Sequence, residues 1–260
     1  MSSKVLFGGA QPWPAFKPVN DSLRGGKSTS FFEVGEGNVG RFSGNLDITA
    51  LGGAGFASQS AVFPSRLSLD PSHYSGLLLT FVPPSLPPRT EKSTLSVLPP
   101  YPPHRFELTL KNDEPARRPD GRRESVIVYE WTLDVRDYER YEGAGAPERD
   151  EDKAEKGEAE KVTVLARWEA FKPTYRGKEQ PDAKELDPKS IYELGFMCRS
   201  NFGQQAGDFS LSLVSLALAP REGRLDKAKG WLALILQLAR QWADWIKGLF
   251  GRRDGAVRLP

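Results

Sequence analysis

The sequence predicts an all-β sandwich followed by an amphipathic α-helix, and three observations carry that prediction. Short runs of alternating apolar and polar residues recur between Gly-rich and Pro-rich turns from residue 28 to residue 218. Nothing before residue 225 repeats with helical period. Beyond residue 225 the period changes to that of a helix and holds to residue 250.

The strands follow in order. Ser28 to Val34 carries Phe31 and Phe32. Gly40 to Ala50 sets Phe42, Leu46 and Ile48 against Arg41, Asn45 and Asp47, with a slip at Ser43-Gly44 that reads as a bulge. Gly55 to Phe63 follows the Gly52-Gly53 turn, and Leu77 to Val82 is an apolar run suited to a strand covered on both faces. Arg105 to Leu110 and Ser125 to Val135 flank a polar basic loop and suit a hairpin. Val162 to Phe171, Ile191 to Arg199 and Phe209 to Leu218 complete the set, the last with Ser210, Ser212 and Ser215 among apolar residues. The spacing, roughly nine to ten short strands, is that of a sandwich.

Two stretches interrupt this pattern. Residues 83–104 hold Pro83, Pro84, Pro87, Pro88, Pro99, Pro100, Pro102 and Pro103. Proline donates nothing to a ladder, so this is a surface insertion, with a PxxP-type ligand as the alternative. Residues 142–161 are Glu, Asp, Lys, Gly and Ala, with no apolar residue at useful spacing, and read as an acidic disordered insertion or a docking segment. Residues 1–220 thus form one sandwich domain with two insertions, and 221–260 a helix with a basic tail.

In that last segment Trp231, Ile235, Leu238, Trp242, Trp245 and Leu249 step by four and three, and Ile246 widens the stripe. Gly251 ends it, and Arg252 and Arg253 follow. The stripe must be buried against its own sandwich, a membrane interface or a partner protein. A transmembrane span is disfavoured, because Arg240, Asp244 and Lys247 each cost roughly 2.5–3.5 kcal/mol near the bilayer centre. Tryptophans beside Lys227, Lys229, Arg252 and Arg253 suit an interfacial helix.

Composition bounds the function. A net charge of +2 over 260 residues provides no field to draw the chain onto nucleic acid. One cysteine, Cys198, excludes an internal disulfide and points to a reducing compartment, where the sequon Asn20-Asp21-Ser22 has no use. Neither a signal peptide nor an Arg-rich presequence opens the chain, which argues against import by a cleaved presequence.

The chemistry-bearing residues are sparse. Gly25-Gly26-Lys27-Ser28-Thr29 matches the end of a P-loop, but Asp21 stands where the first glycine is needed. His73 and His104 lie in separate proline-flanked loops, which sets no zinc spacing. No G-x-S-x-G elbow is present. Cys198, beside Phe196 and Met197, reads as a buried inert thiol. Asp47, Asp134 and Glu193 fall on strands, where a solvated outer face is expected. No catalytic residue, metal ligand or cofactor is assigned.

Five ordered segments carry a resemblance. Trp13 with Val19-Asn20-Asp21-Ser22-Leu23-Arg24-Gly25-Gly26-Lys27-Ser28 comes first, then Phe42-Ser43-Gly44-Asn45-Leu46 and Gly53-Ala54-Gly55-Phe56-Ala57-Ser58. Ile191-Tyr192-Glu193-Leu194-Gly195-Phe196 and Gly207-Asp208-Phe209-Ser210-Leu211 close the series. Together they resemble the complex I intermediate-associated protein 30 family over about residues 10–218. The resemblance implies a galactose-binding-domain-like jelly-roll sandwich. It also implies a non-catalytic, chaperone-like role in assembling respiratory complex I through protein clients, on the matrix side of the mitochondrial inner membrane. Read from the residues, Gly25, Gly26, Gly52, Gly53 and Gly55 serve turns or close backbone approach, and Asp21 and Ser28 bond nearby amides to lock the first turn.

The helix and insertions lie outside the family's domain and leave other readings open. One is a cytosolic or membrane-surface scaffold. Another is a sugar- or lipid-binding module, with Trp13, Tyr74 or Tyr101 stacking on a sugar. Deleting residues 225–260 is expected to release the protein from membranes while its cooperative melt survives; loss of the melt contradicts this. Deleting residues 142–161 is expected to leave the melting temperature nearly unchanged, and a fall of several degrees contradicts the disorder reading.

Overall fold

The computed structural model describes residues 3–86, 100–121, 123–143 and 159–221. In chain order its strands are β1 (Lys4–Gly8), β2 (Lys17–Pro18), β3 (Thr29–Val34), β4 (Gly40–Leu46), β5 (Phe56–Leu67), β6 (Tyr74–Val82) and β7 (Arg105–Lys111). Then come β8 (Val128–Asp134), β9 (Val162–Arg167), β10 (Lys172–Tyr175), β11 (Lys178–Glu179), β12 (Ile191–Arg199) and β13 (Gly207–Pro220). They form two antiparallel sheets, ordered β3-β4-β13-β6-β9 with β1 also on β13, and β11-β10-β8-β7-β12-β5-β2. This is a jelly-roll sandwich, and the expected hairpin is the pairing of β7 with β8.

The core lies between the sheets. Phe42, Phe81, Phe196 and Leu211 are almost without solvent exposure there. β6 shows why its sequence lacks alternation. Leu77, Leu79 and Phe81 face the core, while Leu78 packs with Ala217, Ala219, Leu165 and Tyr141 on the outer surface of the same sheet. β13 changes phase midway. Phe209, Leu211 and Leu213 point inward, a register shift falls between Leu213 and Ser215, and Leu216 and Leu218 then point inward. A one-residue shift moves every following side chain to the other face. That accounts for the apolar end of this strand.

Several expectations are corrected. No bulge occurs at Ser43-Gly44: Ser43 pairs with Phe31 and Ser210, and Gly44 with Ser30 and Phe209, without a shift. Gly44 answers a steric need instead, since a Cβ there would lie 2.0 Å from the Thr29 carbonyl oxygen. The strand expected to reach Phe171 stops at Arg167, where Trp168–Ala170 form a 3-10 turn. The indole Nε1 of Trp168 donates to the Tyr74 carbonyl at 2.9 Å. Strands β2, β10 and β11 have no clear sequence signal, because two are only two residues long and β10 contains Pro173.

Residues 87–99 of the proline-rich insertion, 144–158 of the acidic insertion and the whole expected helix, Leu225 to Phe250, with Arg252 and Arg253 after it, lie outside the described residues. The flanks of the acidic stretch are tied in: the Tyr141 amide donates to Thr163 O at 2.8 Å, and Arg140 meets Glu160 at 2.8 Å. Among the described residues no helix is long and apolar enough to cross a membrane. Replacing the fully buried Phe42 by Ala is expected to cost about 3–5 kcal/mol in urea denaturation; a cost below about 1 kcal/mol contradicts its place in the core.

Candidate functional site

One end of the sandwich gathers the glycine-rich motifs. β4, β6, β8 and β12 end there, and β3, β5, β7, β9 and β13 begin there. Asp21 lies beneath this end with no solvent exposure. Its Oδ1 accepts from the Ser28 amide at 3.1 Å, and its Oδ2 from the Ser28 hydroxyl at 2.7 Å and the Phe56 amide at 3.0 Å. The Ser28 Oγ in turn accepts from the Asp47 amide at 3.1 Å. One carboxylate thus joins the starts of β3 and β5 to the end of β4.

The glycines make room for it. A Cβ at Gly26 would lie 2.1 Å from the Asp21 Cγ, and one at Gly55 would lie 2.3 Å from the Asp47 carbonyl oxygen. Gly25, at φ +85°, takes the left-handed turn that closes the loop, with its amide on Ser22 O at 3.0 Å. Ser200, which no sequence motif marked, completes the knot. Its hydroxyl donates to Gly53 O at 2.8 Å and accepts from the Gly55 amide at 2.9 Å. The Ser58 amide donates to Asn20 Oδ1 at 3.0 Å. Ser200 lies more than 140 positions from its partners, so only the folded pairing of β12 with β5 brings it into view.

The other motif residues are packed elsewhere. Trp13 is 9% exposed, donates from Nε1 to Asn38 O at 2.9 Å, and meets Phe32 and Phe196 edge-on. It is not free to stack on a sugar, which corrects that expectation. Tyr74 opens β6 and Tyr101 precedes β7, strands that start from opposite ends of the sandwich. Phe196 and Phe209 are core residues. A Cβ at Gly195 would come within 2.7 Å of Thr109 Oγ1.

The candidate chemistry dissolves under this geometry. The P-loop-like turn points its Ser28 amide at its own carboxylate, so an anion already fills the place of a phosphate. His73 bonds Asp70 at 2.8 Å, while the His104 Nδ1 donates to Pro102 O at 3.0 Å, near the start of a different strand. The Ser72 amide and hydroxyl hold the Asp70 carboxyl down at about 2. Burial pushes the Cys198 thiol well up, which keeps it protonated and unreactive. Among the described residues no group of three or more His, Cys, Asp or Glu is arranged to hold a metal. Glu193 is not solvated as expected. It is 4% exposed and paired with Lys111 at 2.6 Å and Arg123 at 3.5 Å.

A buried ionic cluster escaped the sequence reading. Glu107 on β7 and Glu130 on β8 both bond the guanidinium of Arg199 on β12, at 2.9 Å for Glu107. The second oxygen of Glu107 is buried without a partner. Burial raises this carboxyl from 4.5 to about 7, against the pull of Arg199.

The fold and its knotted end define a class: a jelly-roll sandwich whose glycine-rich loops are tied around a buried carboxylate. The family whose pattern matches is Complex I intermediate-associated protein 30, over residues 5–82 and 129–213. The chain belongs to that family. An uncharacterized protein of Schizosaccharomyces pombe is 28% identical over 224 residues, 84% of each chain. A family 11 carbohydrate-binding module from Clostridium thermocellum, solved with a β-1,3-1,4-mixed-linked tetrasaccharide, has a TM-score of 0.44 at 12% identity, covering 84% of this chain and 96% of that one. A second family 11 module, from a cellulosomal cellulase of the same organism, has a TM-score of 0.43 at 12% identity, covering 86% and 98%. Neither likeness bears on what this chain binds.

Replacing Asp21 by Ala strands three donors in a dry site and is expected to cost about 2–4 kcal/mol of unfolding free energy. A cost below about 1 kcal/mol, read by denaturant titration, contradicts the knot. Glu107 makes a separate prediction. Its raised pKa means its contribution is full below 4.5 and is lost as pH climbs through about 7. The stability of wild type relative to Glu107→Gln is therefore expected to fall across that window, and a flat difference contradicts the shift.

Proposed function

We propose that this chain serves the assembly of respiratory complex I as a non-catalytic, protein-binding factor at the matrix face of the mitochondrial inner membrane. The observation that carries this reading is the family match, which takes in strands of both sheets and every motif residue of the knot from Asp21 to Ser58. The chemistry supports it. The residues that look reactive in sequence are spent on structure: Ser28 on Asp21, Cys198 in the core, Glu193 on two cations. An assembly factor needs no turnover. It needs a rigid frame that holds loops in fixed positions for a client, and loops on a stiff sandwich suit that task.

The stripe Trp231, Ile235, Leu238, Trp242, Trp245, Ile246 and Leu249, with Arg252 and Arg253 behind it, has the composition to hold the chain at a membrane surface. No cofactor enters this reading.

Disrupting the gene is expected to lower fully assembled complex I on native gels, with membrane-arm intermediates accumulating. A tagged chain is expected to fractionate with mitochondria and to co-purify with complex I subunits. Normal complex I after disruption, or a tagged chain in the cytosol with unrelated partners, contradicts the proposal.

A further inference from the structure

We propose that the outward face of the seven-stranded sheet is a binding site for a neutral polyhydroxylated ligand of the sugar class, held by Ser60, Thr109, Glu130 and Arg199. The proposal goes beyond the assembly role and does not depend on it.

The core fixes which side chains point outward. Leu194, Phe196 and Cys198 of β12, Leu108 and Leu110 of β7, Ala57 of β5 and Tyr129 of β8 belong to the core. Their alternates therefore point away from it: Gly195, Met197 and Arg199, then Glu107 and Thr109, Ser58 and Ser60, and Glu130. Strand pairing sets these in rows. Glu130 faces Thr109, Thr109 faces Gly195, and Gly195 faces Ser60. In the next row Glu107 faces Met197, and Met197 faces Ser58.

This polar floor is sheltered and unspent. Ser58, Ser60, Thr109, Glu107 and Glu130 are each at most 9% exposed, although none points into the core. Lys17, Arg105 and Lys172 around them are exposed and form a rim. The hydroxyls of Ser58, Ser60 and Thr109 have no hydrogen-bond partner among the described residues. Glu107 accepts from the Arg199 Nε at 2.9 Å through Oε1, and its Oε2 is buried without a partner. Sheltered polar groups are almost always bonded, so these exceptions call for donors and acceptors that the fold does not supply. Gly195 keeps the floor open. A Cβ there would lie 2.7 Å from Thr109 Oγ1 and 3.4 Å from Ser60 Cβ, filling the space between the two hydroxyls.

The chemistry selects the ligand. Every carboxylate at an outward position of this sheet already meets a cation. Glu107 and Glu130 meet Arg199, Glu193 meets Lys111 and Arg123, Asp134 meets Arg105, and Glu179 meets Lys172. A cationic ligand has no free acid to pair with. Lys17 pairs with Ser60 across the β2 edge and Arg24 lies over the Phe56 ring, both at the margin, so an anion finds no cation at the centre. A protein partner needs apolar anchors in a dry centre, and the centre here offers Met197 alone. A ligand hydroxyl suits the floor because it donates to a carboxylate while it accepts from a guanidinium or a serine. Neighbouring hydroxyls on one sugar ring repeat that pattern, and the floor repeats its groups at cross-strand spacings of about 4.5–5.5 Å.

The test is isothermal titration of the full chain with maltohexaose, cellohexaose, mannohexaose and galactohexaose in turn. At least one is expected to bind, with an affinity that added salt leaves unchanged. A Ser60→Ala, Thr109→Val variant removes two hydroxyls that bond nothing in the protein. It is expected to bind that sugar roughly tenfold more weakly or worse, with its melting temperature level. Ser210→Ala, on the other sheet, is expected to bind as wild type does. No binding of any of the four sugars overturns the proposal, and so does a double variant that binds as well as wild type. Binding that salt abolishes overturns the neutral ligand. If the sugars are silent and the double variant instead loses client proteins on co-purification, the face belongs to a protein and the proposal falls.

Discussion

A carboxylate with no access to water must find its donors inside the protein, and Asp21 finds them on Ser28 and Phe56, 7 and 35 positions away in the chain. That requirement sets much of what surrounds it. The Phe56 amide reaches Asp21 only if β5 starts beside the first loop. The Ser28 hydroxyl reaches both Asp21 and the Asp47 amide only if β3 and β4 pair in the register they adopt. Gly26 and Gly55 follow from the space the carboxylate and the Asp47 carbonyl occupy. Both sheets are thereby joined at one end by side-chain bonds as well as by the core.

The same constraint divides labour within the molecule. Residues that resemble binding or catalytic groups in sequence are consumed in holding loops still. Among the described residues Leu23, Leu51 and Phe202 are exposed at that end and make no bond of the knot. A rigid base with unpartnered apolar tips is the arrangement expected of a protein that works by contact. Rigidity beneath lowers the entropy lost when the tips are ordered on a surface.

Much of this was legible in the sequence because it depends on local pattern. The alternation of Phe42 with Arg41 and of Phe209 with Ser210 declared half-buried strands, and Ile191–Arg199 was placed to the residue. The Gly25-Gly26 and Gly53 to Gly55 clusters declared turns, and Asp21 and Ser28 were expected to lock the first of them, as they do. What escaped the reading depends on distant pairing. Ser200 looks like any serine until β12 lies beside β5. Glu193 and Glu107 alternate like solvated residues, yet neighbouring strands bring cations over them and exclude water. The phase change within β13 is invisible because its far end is apolar on both faces. Strain at Leu51 and Phe202 has no sequence signature, since nothing in those residue types announces a positive φ.

The most direct test of the knot as the organising element is hydrogen exchange of individual amides. The Ser28 amide sits in a loop just ahead of β3, and the Gly55 amide just ahead of β5, where ordinary loop amides exchange fast. The account predicts that both amides, together with that of Phe56, exchange only through global unfolding, as slowly as the central amides of β12 and β13. Exchange at loop rates, with the central strands still protected, would show that the carboxylate does not hold this end together.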